Sequence, residues 1–370
     1  MRVLHITNDY YNSGVYQTLH DGHLRHGMDS VFFVPMPKSV QAHNRDHVIE
    51  AHCFVKADRY LYMNKQRKIY RRFREVVQQY QPELNHGYFL FSGGIHCLWA
   101  KREFGIPYVI TVQNTDVNAI FKYFVHLRGL AWDILREADR VIFVSDAYRR
   151  YTLEHMVPAK YRQEQAEKFV MIPFAVDPFW TQHMDTAPHP AHEGQVRLLT
   201  VGVVSTNKNQ TGLAQAVQLL RNQGLDAELT VIGAAEDAAI DAKLRKLVFV
   251  RRIENIPKEE LIAQYRRADL FVLPSLEESF GLVYAEALSQ GLPVIYSAGQ
   301  GFDCQFPEGY VGYRVDARDP VSIADGIRRA WEHYDTLQSG CGEAAEHFTQ
   351  ELVCRTAEAL YEEILKNNDR

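Results

Sequence analysis

Apolar runs of four or five residues recur along this chain, each closed by glycine, proline or polar residues, and stretches with apolar positions at helical spacing fall between them. Residues 3–6 and 30–34 read as buried strands around a helix at 15–26 that Gly27 stops, so the chain opens with a βαβ unit. Strands at 108–112 and 140–144, separated by helical stretches such as 121–138, extend that series. A second series starts at 197–201 and runs through 228–232, 247–250, 270–273 and 293–296. Two successive α/β series predict two doubly wound domains, 1–178 and 195–349. Between them 179–194, rich in proline, histidine and small polar residues, has neither period and reads as a linker. A last segment, 350–370, carries Leu352, Val353, Ala357, Leu360 and Ile364 at helical spacing.

The densest chemistry lies in 269–295, which holds a strand, a polar turn, a helix and a second strand. Pro274 and Ser275 end the first strand, and Gly291 and Pro293 end the helix. The turn therefore sits at the carboxyl end of a strand, where open parallel sheets bind ligands. Backbone N–H groups of Phe280, Gly281 and Leu282 form a donor cluster suited to a phosphate. Glu278, beside them, repels that anion and needs another partner; sugar hydroxyls suit it, since an ionised carboxylate accepts two hydrogen bonds from a vicinal diol. Glu286, further along the helix, suits a ribose in the same way. A diphosphate between two sugars fits the set.

The pattern PSxxExFGLxxxEAxxxGxPV, with Glu278 and Glu286 eight residues apart, resembles the signature of retaining glycosyltransferases of family four. The resemblance implies the GT-B fold, two Rossmann-like domains facing across a cleft. It implies an acceptor-binding first domain, a donor-binding second one, and a final helix that packs back on the first. It assigns the transferred sugar to Glu278 and the nucleotide ribose to Glu286. Gly202, after the second domain's first strand, stands six residues before Lys208, the family's spacing for a lysine on the donor diphosphate; Val203 occupies the place of the usual arginine, which removes one charge-assisted contact. Glu278 and Lys208 are the candidate catalytic residues. Ser13-Gly14 replaces the family's glycine pair, and Gly14 still permits close backbone approach to a sugar diphosphate. Gln113 replaces a common histidine, keeping hydrogen bonding but losing a titratable group. Gln113 and Asp116 are candidate acceptor or sugar contacts, with a helix N-cap as the other reading of Asp116. Phe174 and Ala175 depart from the family's segment leading out of the first domain.

Composition narrows the class. With 370 residues and 46% hydrophobic content the chain supports two cores, and no apolar run approaches a membrane span. The opening MRVLHITNDYY carries no signal-peptide pattern, and Cys53, Cys97, Cys304, Cys341 and Cys354 form no CxxC pair, so a cytoplasmic protein with reduced thiols is expected. Neither HExxH nor Asp-x-Asp occurs, and His20, His23 and His26 share a helix face only loosely, so no metal and no cofactor is expected. Residues 1–178 hold 23 Lys/Arg against 18 Asp/Glu; residues 179–370 hold 18 against 28. Lys65, Arg67, Lys68, Arg71, Arg72 and Arg74 crowd one short stretch, with Tyr60, Leu61, Met63, Ile69, Phe73, Val76 and Val77 around them. That stretch reads either as a basic amphipathic helix on an anionic membrane surface, at the inner face of the membrane, or as a solvated helix packed on its own domain. No nucleic-acid partner is expected.

The function expected is retaining, metal-independent transfer of a sugar from a nucleotide-sugar donor, a UDP-sugar first among candidates, to a glycan or lipid-linked acceptor in polysaccharide or glycoconjugate synthesis. The resemblance implies attack by the acceptor from the leaving-group face, with no protein nucleophile. The alternatives are a GT-B nucleotide-sugar 2-epimerase and a non-catalytic sugar-nucleotide binding protein. A dinucleotide oxidoreductase is disfavoured, because no GxGxxG follows either leading strand.

Overall fold

A computed structural model describes residues 1–185, 187 and 194–368, which form two compact units. The first unit holds a seven-stranded parallel sheet of β1 (Arg2–Ile6), β2 (Asp29–Pro37), β3 (Val48–Phe54), β4 (Leu84–Tyr88), β5 (Tyr108–Val112), β6 (Arg140–Phe143) and β7 (Phe169–Met171), in the order β3-β2-β1-β4-β5-β6-β7. The second holds a six-stranded parallel sheet of β8 (Val196–Val201), β9 (Ala227–Ile232), β10 (Val250–Ile253), β11 (Leu270–Leu273), β12 (Val294–Ser297) and β13 (Gly312–Val315), in the order β10-β9-β8-β11-β12-β13. The direction of strand progression reverses between β1 and β4 and again between β8 and β11. In doubly wound sheets the loops leaving such a pair diverge to opposite faces and open a ligand crevice.

Helices cover both faces of the first sheet. On one, Leu4, Ile6, Phe33 and Ile110 pack with Ile69, Phe73, Val76 and Val77 of helix Tyr62–Tyr80 and Leu98 of helix Ile95–Phe104. The apolar side of the basic helix is therefore core, which corrects the reading that would lay Ile69, Phe73, Val76 and Val77 on lipid. On the other face, Val353, Ala357, Leu360, Tyr361 and Ile364 of helix Gln350–Asn368 cover Val3, Leu84, Val109 and Ile142. This last helix belongs to the first unit. Leu352, counted with its apolar stripe, is 43% exposed instead.

The last helix is fixed by polar contacts as well. His23 Nδ1 and Glu358 Oε1 lie 2.8 Å apart, Glu358 also meets His26 at 3.0 Å, and Tyr361 Oη lies 2.7 Å from His86 Nδ1. Gly22 lets helix Gly14–Arg25 approach closely, since a Cβ there would stand 2.4 Å from Cys354 Sγ. The histidines thus serve helix docking: His20 is bonded to Tyr10 Oη at 2.7 Å, and among the described residues no three His, Cys, Asp or Glu side chains group to hold a metal ion.

Several elements differ from their expected positions. β4 is wholly buried, yet its Asn85, His86 and Gly87 interrupt any apolar run. The strand expected at 247–250 starts at Val250 instead; Val248 is 97% exposed, and Arg252 enters the edge strand because Asp241 receives its Nε at 2.6 Å. The single helix expected at 121–138 is a wide helical turn at Thr115–Phe121, a short turn at Val125–Leu127 and a helix at Arg128–Glu137. In the expected linker, 178–182 is helical behind the Asp177 cap, while 186 and 188–193 lie outside the described residues.

Candidate functional site

In the second unit, the loops after β8 and β11 bring together the residues singled out there. The two loops are sewn to each other by Asn207: its side chain donates to Glu277 O at 2.9 Å and accepts from Glu277 N at 2.9 Å, and its carbonyl accepts from Leu276 N at 2.8 Å. Gln210 clasps the first loop through Val203 O at 2.9 Å. Gly202 adopts φ 150°, and Gly233 lies so close that a Cβ on it would stand 2.1 Å from Gly202 O. Within this frame Lys208 Nζ donates to Glu278 Oε2 at 2.7 Å, so the two candidate catalytic side chains form an ion pair. Ser275 Oγ adds a contact to the same oxygen at 3.3 Å, and Gln300 accepts from Glu278 N at 3.0 Å. Val203 is 43% exposed.

The turn after Glu278 is anchored from beneath. Phe280 is buried against Phe348, 5.5 Å between ring centroids, and a Cβ on Gly301 would stand 2.5 Å from Phe280 N. Gly281 takes φ 81°, a left-handed conformation that favours glycine, and precedes helix Leu282–Ser289, whose start carries no side-chain cap. Its first turn is thus suited to an anion. On the same helix Glu286 is partly buried and accepts from Tyr265 Oη at 2.9 Å. Burial pushes its carboxyl up to about 7 against the pull of that hydrogen bond, with Asp177 adding to the rise and Lys258 opposing it. Tyr265 is itself held between Trp180 and Phe271.

In the first unit, the loop after β1 leads to Gly14 at the start of helix Gly14–Arg25, where an added Cβ meets nothing within 4 Å. Gln113, at the end of β5, is buried and donates Nε2 to Tyr16 Oη at 2.7 Å. Asp116 is wholly buried, and its carboxylate accepts from Leu90 N at 2.8 Å, Gln113 N at 3.0 Å and Phe91 N at 3.4 Å. It has no surface with which to meet a ligand; it ties the β5 loop to the β4 loop, and desolvation raises its carboxyl to about 7 despite those amides. Tyr16, Asn207, Gln210, Tyr265 and Gln300 could not be singled out from the sequence, because partners on separate elements leave no local pattern; Ser275 was read only as a strand breaker. Tyr265 alone had a trace, a tyrosine on the inner side of helix Lys258–Arg267.

Two parallel sheets, each with candidate ligand-binding loops leaving its switch point, define the two-domain Rossmann-like architecture termed GT-B. Residues 15–178 match the model described as Glycosyltransferase Family 4, and residues 183–348 that described as Glycosyl transferases group 1. The D-inositol 3-phosphate glycosyltransferase of Geodermatophilus obscurus is 32% identical over 309 residues, 76% of this chain and 67% of the relative. The enzyme of that name from Corynebacterium diphtheriae is 30% identical over 174 residues, 44% of this chain. The chain spans 41% of that relative's length and 28% of the Corynebacterium efficiens one. The chain belongs to glycosyltransferase family 4. Among solved structures, the lipopolysaccharide outer core galactosyltransferase WaaB aligns with TM-score 0.76 at 14% identity, over 98% of this chain and all of the other. Sucrose-phosphate synthase from Thermosynechococcus elongatus aligns at 0.71 and 19% identity, over 99% and 100%. Anabaena HepE, solved in complex with UDP, aligns at 0.70 and 16% identity, over 98% and 100%. These likenesses concern the fold.

Proposed function

We propose that this chain is a glycosyltransferase that moves a sugar from a nucleotide-sugar donor to a glycan or lipid-linked acceptor, with retention at the anomeric carbon and without a bound metal. The observation that carries the reading is the Lys208–Glu278 pair at the β8/β11 switch point, beside the uncapped helix start at Gly281. Lys208 and the amides of Gly281 and Leu282 would hold the departing diphosphate, and Glu278 the hydroxyls of the transferred sugar. Charge on the leaving group then develops against donors fixed in advance, which is where such groups lower a barrier most. Glu286, held by Tyr265, would take the ribose. Gly14 leaves room for the donor, and Gln113, turned by Tyr16, would meet sugar or acceptor while Asp116 fixes its loop. A UDP-sugar is the first candidate donor, supported by the UDP complex of the HepE neighbour.

No helix among the described residues is long and apolar enough to cross a membrane. A lipid-linked acceptor would instead be met at an anionic surface, through exposed Tyr60, Leu61 and Met63 and the cations of the helix that follows.

Incubation with a panel of UDP-, GDP- and TDP-sugars tests the assignment. Slow release of nucleoside diphosphate and free sugar, abolished in Glu278→Gln, is the expected result. A new sugar nucleotide would make the protein an epimerase, and binding without turnover a binding protein.

A further inference from the structure

At the outer edge of the first sheet, two strands beyond β1, the ends of β2 and β3 and helix Tyr62–Tyr80 border an open cavity of about 340 Å³. Four of its lining residues are cationic, Lys38, Lys68, Arg71 and Arg72, against one carboxylate, Glu75. Two of the cations are offset: Lys68 Nζ donates to Asp58 Oδ1 at 2.7 Å, and Arg72 pairs with Glu75. Lys38 and Arg71 form no ion pair among the described residues, and both are exposed. Neighbouring Lys65 adds a further cation, its Nζ 4.4 Å from the centroid of the Phe54 ring. The folding core does not account for the cations, because its contacts to this helix are made by Ile69, Phe73, Val76 and Val77, while Phe54 brings only the edge of the same core to the cavity. With Lys68 and Arg72 paired, Lys38 and Arg71 leave the concavity with a net positive charge, which favours an anion there. Guanidinium and ammonium groups on facing elements suit the tetrahedral oxygens of a phosphate ester, Arg71 as a planar fork and Lys38 as a point charge.

We propose that this cavity is a phosphate-ester binding site, separate from the donor site, whose ligand is held chiefly by Lys38 and Arg71. The phosphate belongs either to a soluble ester or to a lipid headgroup. The two sources share the same chemistry at the cavity and differ in what the phosphate is attached to.

Cys53 lines the same cavity and reports on it. Burial pushes its thiol up to about 11, while Lys65, Arg72 and Lys38 pull it back, so an anion among those cations both shields the sulfur and removes their help. The experiment follows alkylation of Cys53 by iodoacetamide in the whole chain by mass spectrometry, with exposed Cys304 as internal reference. The additions are inorganic phosphate, glycerol phosphate, phosphatidylglycerol vesicles and phosphatidylcholine vesicles, at ionic strength matched with chloride. A several-fold slowing at Cys53 but not at Cys304 is expected, lost in the Lys38→Gln/Arg71→Gln variant. Protection by the dissolved anions assigns a soluble ester, and protection by phosphatidylglycerol vesicles alone assigns a lipid headgroup. Line broadening of the ³¹P resonance of the dissolved esters gives a second readout that does not depend on the thiol. The proposal is overturned if neither readout responds, if chloride reproduces the protection, or if the variant keeps it. Binding of a nucleoside diphosphate to the whole wild-type chain, titrated separately, reads the donor site alone, so failure of the donor assignment and failure of this site are separate results.

Discussion

Lys208 Nζ and Glu278 Oε2 are 2.7 Å apart, on loops that leave adjacent strands of the second sheet. Each holds the other in place, and each is assigned a different part of the same ligand. Replacing one should therefore disturb the other, but in distinguishable ways. Glu278→Gln should lower turnover far more than nucleotide affinity, because its proposed bonds are to the transferred sugar. Lys208→Ala should weaken a nucleoside diphosphate by about 1.5 to 3 kcal/mol while leaving the nucleoside almost unaffected. Calorimetric titration of both ligands checks the contrast; equal losses would place Lys208 away from the phosphates.

The carboxyl of Glu286 gives a pH signature. Its folded value of about 7 lies above the ordinary one, so between roughly pH 4.5 and 7 the folded chain keeps a proton that the unfolded chain releases. Stability from this group is present at low pH and is lost as pH rises through 7. Glu286→Gln should flatten that fall, gaining about 1 kcal/mol or more on wild type between pH 5 and pH 8.5 in urea unfolding. It should also weaken nucleotide binding, since an amide is a poorer acceptor for a ribose diol.

Asp116→Ala should be among the most destabilising changes in the first unit. It strands the buried amides of Leu90, Phe91 and Gln113, at a cost of about 3 kcal/mol or more. Asp116→Asn, which keeps an acceptor, should recover part of the loss. A thermal unfolding series of the three proteins measures it, and a fall in activity without a fall in stability would return Asp116 to direct ligand contact.

Two glycines on one helix should behave oppositely. Gly22→Ala drives a methyl into Cys354 and should destabilise by about 1 to 3 kcal/mol, whereas Gly14→Ala meets no neighbour and should leave stability unchanged. If Gly14 borders the donor, its alanine variant should still bind nucleotide-sugar less tightly. Unfolding and donor titration together decide this.

Vesicle sedimentation addresses the acceptor side. Leu61→Ser/Met63→Ser should reduce binding to phosphatidylglycerol vesicles at low salt without changing stability, since both side chains are exposed. Absence of binding by the wild-type chain would favour a soluble acceptor.

Much of the second unit's candidate site was legible because it is local: Glu278, Gly281 and Glu286 lie on one strand-turn-helix, and that segment folds on the pattern its apolar run and breakers announce. The first unit was harder to read. β4 carries Asn85 and His86 inside the sheet, where His86 is satisfied by Tyr361 and Thr111, at 2.7 Å each, from remote parts of the chain. Asp116 read as an acceptor contact or a helix N-cap for the same reason, since the amides it accepts from, Leu90, Phe91 and Gln113, lie on two separate loops. The basic stretch 65–74 showed its charge plainly and left two readings for its apolar side, of which packing on its own domain is the one found.

The last helix also bears on how the chain comes to be folded at all. Apart from a short excursion near residue 145, the second unit is one continuous stretch, Val176–Thr349, set inside the sequence of the first. Everything it needs is synthesised before Val353, Ala357 and Leu360, which close the face of β1, β4, β5 and β6 of the first unit. Until then that face is an open apolar sheet awaiting its cover. A nascent chain should therefore acquire a protease-resistant second half while its earlier-made half is still sensitive, the reverse of the order in which the two were synthesised.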